Sequence, residues 1–185
     1  MRRDNMVLKA QDVLVLLKLM TIDDESWSYN RVAVSLGMSP AEVHAGIKRA
    51  LKAHLAVMRR NHAGPNVRNF EEFLIYGLKY IFVPDRGELT RGMLTGYAAA
   101  PLVMHFAKVD EPPPVWPDPD GDVRGQAFSP LYKSVPKAAR KDGRLYELLV
   151  LVDAIRGGRS RERDMASKEM QTRLNEYAGK LQSEP

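Results

Sequence analysis

The stretch Ala33-Val34-Ser35-Leu36-Gly37-Met38-Ser39-Pro40-Ala41-Glu42-Val43-His44-Ala45-Gly46-Ile47 decides how this sequence is read. Ser39 is a natural N-cap, because its hydroxyl can accept from the unpaired amides that open a helix. Pro40 suits the first helical position, where no N–H is missed, and Glu42 completes a Ser-x-x-Glu capping box. Gly37 suits the end of a preceding helix, since glycine takes the left-handed conformation at little cost. The pattern predicts a short helix over about 29–36 with Val32, Ala33 and Leu36 inward, a tight turn, and a longer helix from 40 to 52.

In the longer helix Val43, Ile47, Ala50, Leu51 and His54 recur on one side at helical spacing. The other side carries Ala41, Ala45, Lys48, Arg49 and Lys52, small at first and cationic further on. Small residues let a helix approach a groove closely, and cations then reach phosphates or base edges. Downstream, residues 55–58 predict a strand, 61–66 a turn and 67–70 the returning strand, with Arg59, Arg60 and Arg68 flanking the turn. Upstream, residues 8–22 read as a buried helix, apolar around more than one face.

Charge singles out the same region. The 185-residue chain has a formal net charge of +5. Residues 1–39 hold five basic and five acidic side chains, and residues 70–185 hold seventeen of each. Residues 40–69 hold six basic side chains against Glu42 alone. An excess confined to one window points to a polyanionic partner.

The order helix, short helix, Gly37 turn, capped helix, basic hairpin resembles a winged helix-turn-helix. The match is carried by Ala33 to Ser39 with Val43 and Ile47, and it is similar to the MarR-type regulators in Leu8-Lys9-Ala10-Gln11-Asp12-Val13-Leu14 and in Gly37 to Val43. It covers about residues 7–69. The resemblance implies a bacterial transcriptional regulator that binds double-stranded DNA sequence-specifically as a homodimer. Ser39, Ala41, His44, Ala45, Lys48 and Arg49 are then the major-groove contacts, and Lys52, Arg59, Arg60 and Arg68 contact phosphates. Arg49 is expected to read a base. The alternative is an antitoxin-like or adaptor module that holds a protein partner through the winged helix and the C-terminal helices.

The rest of the chain predicts a mainly α protein with three parts: residues 1–82 as the winged helix-turn-helix, 83–136 as a proline-rich ordered strap, and 137–185 as two C-terminal helices for dimerisation or partner binding. Residues 70–82 read as a helix. Seven of the twelve prolines lie between Pro112 and Pro136, which argues against regular structure there, while Trp116, Phe128, Leu131 and Tyr132 argue for packing. Within the strap, Arg86, Thr90, Arg91 and Gly92 form a candidate anion-binding loop, and the competing reading is a loop that only ties strap to domain. Leu145, Leu148, Leu149, Val152 and Ile155 mark one terminal helix ending at Gly157-Gly158. Met165, Met170, Leu174, Tyr177 and Leu181 mark the last, and Arg156, Arg159, Arg161 and Arg163, interleaved with Glu162 and Asp164, read as ion-paired on a solvated surface.

Catalytic chemistry finds little support. There is no cysteine, and the phosphate-loop, dinucleotide and His-Glu-x-x-His patterns are missing. Asp118-Pro119-Asp120-Gly121-Asp122 imitates a calcium loop, but glycine stands at the fourth position and Ser129 at the twelfth, so a surface turn is expected. His44, His54 and His62 are close in sequence, with His54 expected inward, and no metal or cofactor is expected. Val13 to Met20, interrupted by Lys18, falls short of the about 20 residues that span a bilayer. The charged start at Met1 to Asn5 carries no leader pattern. The expectation is a cytoplasmic non-enzyme with no membrane contact.

Overall fold

The computed structural model describes residues 7–23, 27–59, 62–107 and 110–183. It is mainly helical, with a two-stranded antiparallel hairpin and a separate three-stranded sheet. Helix α1 (Ala10–Met20) is central: Val13, Leu14, Val15, Leu16 and Leu17 are all buried, which explains its apolar character on every side. Helices α2 (Tyr29–Leu36) and α3 (Pro40–Lys52) pack on it and on each other. The junction follows the local chemistry. Gly37 has φ +64°, and the Met38 N–H donates to Ala33 O at 3.0 Å, closing α2. The Glu42 N–H donates to Ser39 Oγ at 3.2 Å, and the Ser39 N–H donates to Glu42 Oε2 at 2.8 Å, opening α3.

The hairpin follows α3, but its second strand comes earlier than expected. Strand β1 (Ala56–Arg59) pairs with β2 (His62–Pro65), Arg59 opposite His62. The expected return at 67–70 is instead the start of α4 (Val67–Glu72), because the Asn66 side chain caps it by accepting from the Asn69 N–H. Helix α4 runs on through a π turn (Phe73–Gly77) into α5 (Leu78–Ile81), so residues 67–81 form one continuous helical path.

Residues 83–136 are more regular than their prolines suggest. Strand β3 (Arg86–Leu94) pairs antiparallel with β4 (Pro114–Pro117) and with β5 (Val123–Phe128), and β4 and β5 close the ring through a short parallel pairing. The closure is tight. A Cβ on Gly92 would lie 2.1 Å from Trp116 O, so only glycine fits where these backbones cross. Pro114 and Pro117 are the two end residues of β4, where a missing donor is tolerated.

Helices α6 (Val135–Lys141), α7 (Gly143–Gly157) and α8 (Ser160–Ser183) complete the chain. Helix α7 is enclosed: every residue from Leu148 to Arg156 is buried. One hydrophobic core therefore runs from Val13 through Trp116 to Leu174, shared by all three stretches into which the sequence divides. Among the described residues no helix is long and apolar enough to cross a membrane.

Candidate nucleic-acid interface

Helix α3 buries Val43, Gly46, Ile47 and Ala50. Its other side leaves Ser39, Ala41, His44, Lys48 and Lys52 exposed and Ala45 half-buried. Neither Lys48 nor Lys52 has an ion-pair partner among the described residues. The outward series is thus small, aromatic and cationic in order along the helix. At its start Glu42 is anchored by the Ser39 amide and hydroxyl, which hold its carboxyl below the usual range, and the Tyr132 hydroxyl donates to Glu42 Oε1 at 3.3 Å.

Arg49 is not part of that surface. It turns inward, and its Nε and Nη2 donate to the two carboxylate oxygens of Asp12 at 2.7 and 2.6 Å. Asp12 is fully buried on α1 and also accepts the Lys9 N–H at 2.9 Å. A buried carboxylate is costly unless a cation meets it, so Asp12 captures the one cation of α3 that lies at the edge of the inner face. Gly46 makes the approach possible, since a Cβ there would lie 3.0 Å from Asp12 Oδ1. The pairing also raises the guanidinium's hold on its proton. The signal was present in the sequence as a lone aspartate inside an apolar helix. The inward expectation for His54 is corrected as well: it lies just past α3 and is exposed, at φ +58°, because the chain turns left-handed there to enter the hairpin.

The remaining expected phosphate contacts divide. Arg68 is exposed on α4. Arg59 is half-buried and folds back over the hairpin, its Nη2 donating to Pro65 O at 3.1 Å. Arg60 lies outside the described residues.

Sequence reasoning missed a row of rings beside α3. Tyr29 meets His44 edge-on at 5.2 Å between centroids, Trp27 meets Tyr29 at 5.3 Å, and Trp27 meets His62 at 5.8 Å. The row joins the outer side of α3, the start of α2 and strand β2 into one continuous surface. Only aromatic spacing across three elements reveals it, and no local pattern reports that.

The candidate anion loop is a strand. Thr90, Arg91 and Gly92 pair with Gly125, Arg124 and Val123 of β5, so ladder pairing takes the backbone that a cradle would use. Arg86 donates from Nη2 to Gly157 O at 2.8 Å and lies over the Phe128 ring. The Thr90 hydroxyl turns to Arg91 O, and Arg91 is exposed. Asp118 pairs with Arg140 at 2.8 Å and accepts the Asp120 N–H. Among the described residues no group of three or more His, Asp or Glu could hold a metal ion.

A second buried carboxylate, Asp153 on α7, ties the sheet to the helices. Its Oδ2 accepts Thr95 Oγ1 at 2.6 Å and Trp116 Nε1 at 2.5 Å, and its Oδ1 accepts Arg156 Nε at 2.8 Å. Arg156 continues to the Phe82 and Ser129 carbonyls and stacks on Phe128, so it belongs to the core, unlike its solvated reading. Comparison with protein-family models, with curated proteins and with solved structures finds no match to this chain.

Proposed function

We propose that this chain is a sequence-specific double-stranded DNA-binding protein of winged helix-turn-helix type, acting as a transcriptional regulator. One observation carries the reading: the exposed side of α3 offers Ala41, His44 and the unpaired Lys48 and Lys52, and the aromatic row makes it continuous with α2 and the hairpin. The order α1, α2, turn, α3, β1, β2 supports the same reading. In it, Ser39, Ala41, His44, Ala45 and Lys48 face base edges, and Lys52 and Arg68 face phosphates. Arg49 acts inside the fold, holding α3 on α1.

One such helix reads a half-site, so two protomers occupy half-sites about one helical turn apart. Helix α7 is enclosed within its own chain, which leaves the outer side of α8 for contact between protomers.

The test is selection of duplexes from a randomised library, followed by titration of the selected duplex. A two-fold-symmetric sequence should emerge. Lys48→Ala should reduce discrimination at one base pair per half-site by about tenfold, equivalent to about 1.4 kcal/mol, with the melting temperature unchanged. No enrichment, together with a stoichiometric co-purifying protein, would move the reading to an adaptor or antitoxin-like module.

A further inference from the structure

We propose that Lys133, Lys137 and Lys141 form a second phosphate-binding element that grips the same duplex beyond the start of α3. This rests on the DNA-binding reading and extends it to a part of the chain outside the winged unit.

The argument begins with charge. Residues 132–144 hold five basic side chains against Asp142 alone. Their excess is hidden in the overall balance by Asp110, Glu111, Asp118, Asp120 and Asp122 upstream. The fold sorts these charges. Arg140 is committed to Asp118, and Arg144 to Asp23 through two contacts. Lys133, Lys137 and Lys141 are exposed, and none has an ion-pair partner among the described residues. Lys137 and Lys141 stand four residues apart on the outer side of α6, whose inner side buries Val135, Pro136, Ala138 and Ala139.

Position supplies the second part. Helix α6 packs on α2. A Cβ on Gly37, in the turn before α3, would lie 3.6 Å from Ser134 Cβ. Tyr132 donates its hydroxyl to Glu42 in the first turn of α3, and the Lys133 ammonium is close enough to help hold the Glu42 carboxyl ionised. Lys133 therefore stands beside the opening of α3 and the α6 lysines lead away from it along α2, while the hairpin adjoins the far end of α3. A helix of 13 residues is about 20 Å long. Cations at both ends of such a helix bracket the groove it occupies and meet phosphates on either side. Lys52 at the end of α3 and Arg68 on α4 supply one bracket, and α6 with its preceding turn supplies the other.

The experiment measures affinity for a mixed-sequence 30-base-pair duplex against salt, with hydroxyl-radical footprinting on the selected duplex. Each phosphate contact contributes about −0.9 to the slope of log K on log salt. The variant Lys133→Ala/Lys137→Ala should flatten the slope by about two per protomer, weaken low-salt binding at least tenfold, and lose protection at the outer edge of each half-site. Lys133→Arg/Lys137→Arg should restore all three, since the charge is retained. Melting curves identical to the unaltered protein confirm that the surface alone was changed. Unchanged slope and footprint in the alanine variant, while Lys48→Ala still weakens binding, would overturn this element and leave the DNA-binding reading standing. Absence of duplex binding by the unaltered protein would remove both.

Discussion

Asp12 and Asp153 are both carboxylates sunk in apolar helices, and they are held in different ways. Asp12 meets one guanidinium, a two-pronged fork from Arg49 on a neighbouring helix, and one amide of its own helix. Asp153 gathers donors from three places: Thr95 after β3, Trp116 on β4, and Arg156 one turn along its own helix. A fork between two helices fixes how one lies on the other. A hub reached from several segments fixes which segments assemble, because each donor finds its buried acceptor only when its own segment is in place. The first pair therefore serves the pose of α3, and the second serves the joining of sheet to core.

The largest effect should come from Asp153→Ala. It strands the Trp116 and Thr95 donors and leaves the Arg156 charge buried, a loss of about 4–5 kcal/mol. Against a total of about 5–15 kcal/mol for a domain, much of the population should unfold, measurable by chemical denaturation. A loss below 1 kcal/mol would mean that the hub is not what joins the sheet.

Arg49→Ala should cost less, about 3 kcal/mol, because only one cation leaves Asp12 uncompensated. The double variant Asp12→Leu/Arg49→Met should recover most of that stability, since apolar side chains of similar size replace a buried pair with little loss. If the comparison holds, the recovered protein keeps its melting temperature but discriminates less sharply among duplexes. Full discrimination in the double variant would break the link between the fork and the pose of α3.

The smallest effect is one of acid. Burial would raise the Asp142 carboxyl, but Lys18, Thr21 and the Leu145 amide outweigh it and hold the group below its ordinary value of 3.8. The unfolded chain takes up this proton first, so the stabilisation is complete above about pH 4 and is lost as the pH falls below that value. Asp142→Asn should flatten the decline of melting temperature in this range. An unchanged acid profile would show that the link between α1 and the start of α7 adds nothing measurable.

These carboxylates also explain what was legible in the sequence. Gly37, Ser39, Pro40 and Glu42 act on neighbours within a few residues, so the turn and the start of α3 could be read directly. The same holds for α2. Arg49 could not be placed from helical spacing alone, because it stands at the margin between faces and its side is chosen by Asp12, 37 residues away. Strand β3 was hidden for a similar reason. Its glycines look like a flexible loop, and only the crossing strands from 114–117 and 123–128 show why Gly92 has no side chain. Of the candidate contacts, Ser39, Ala41, His44, Lys48, Lys52 and Arg68 stand exposed as expected. Lys133, Lys137 and Lys141 escaped notice because charge was totalled along the chain, where nearby acids cancel it.

The fork between Arg49 and Asp12, with Gly46 beneath it, also sets the rotation of α3 about its own axis. A helix with its side chains is about 10–12 Å across, so a turn of about 5° moves an outward tip by about 0.5 Å. That displacement equals the span between a short and a long N–H···O hydrogen bond. Two hydrogen bonds on the hidden side of the helix thus act as an angular stop, and the direction in which exposed His44 and Lys48 point depends on a pair turned away from that surface.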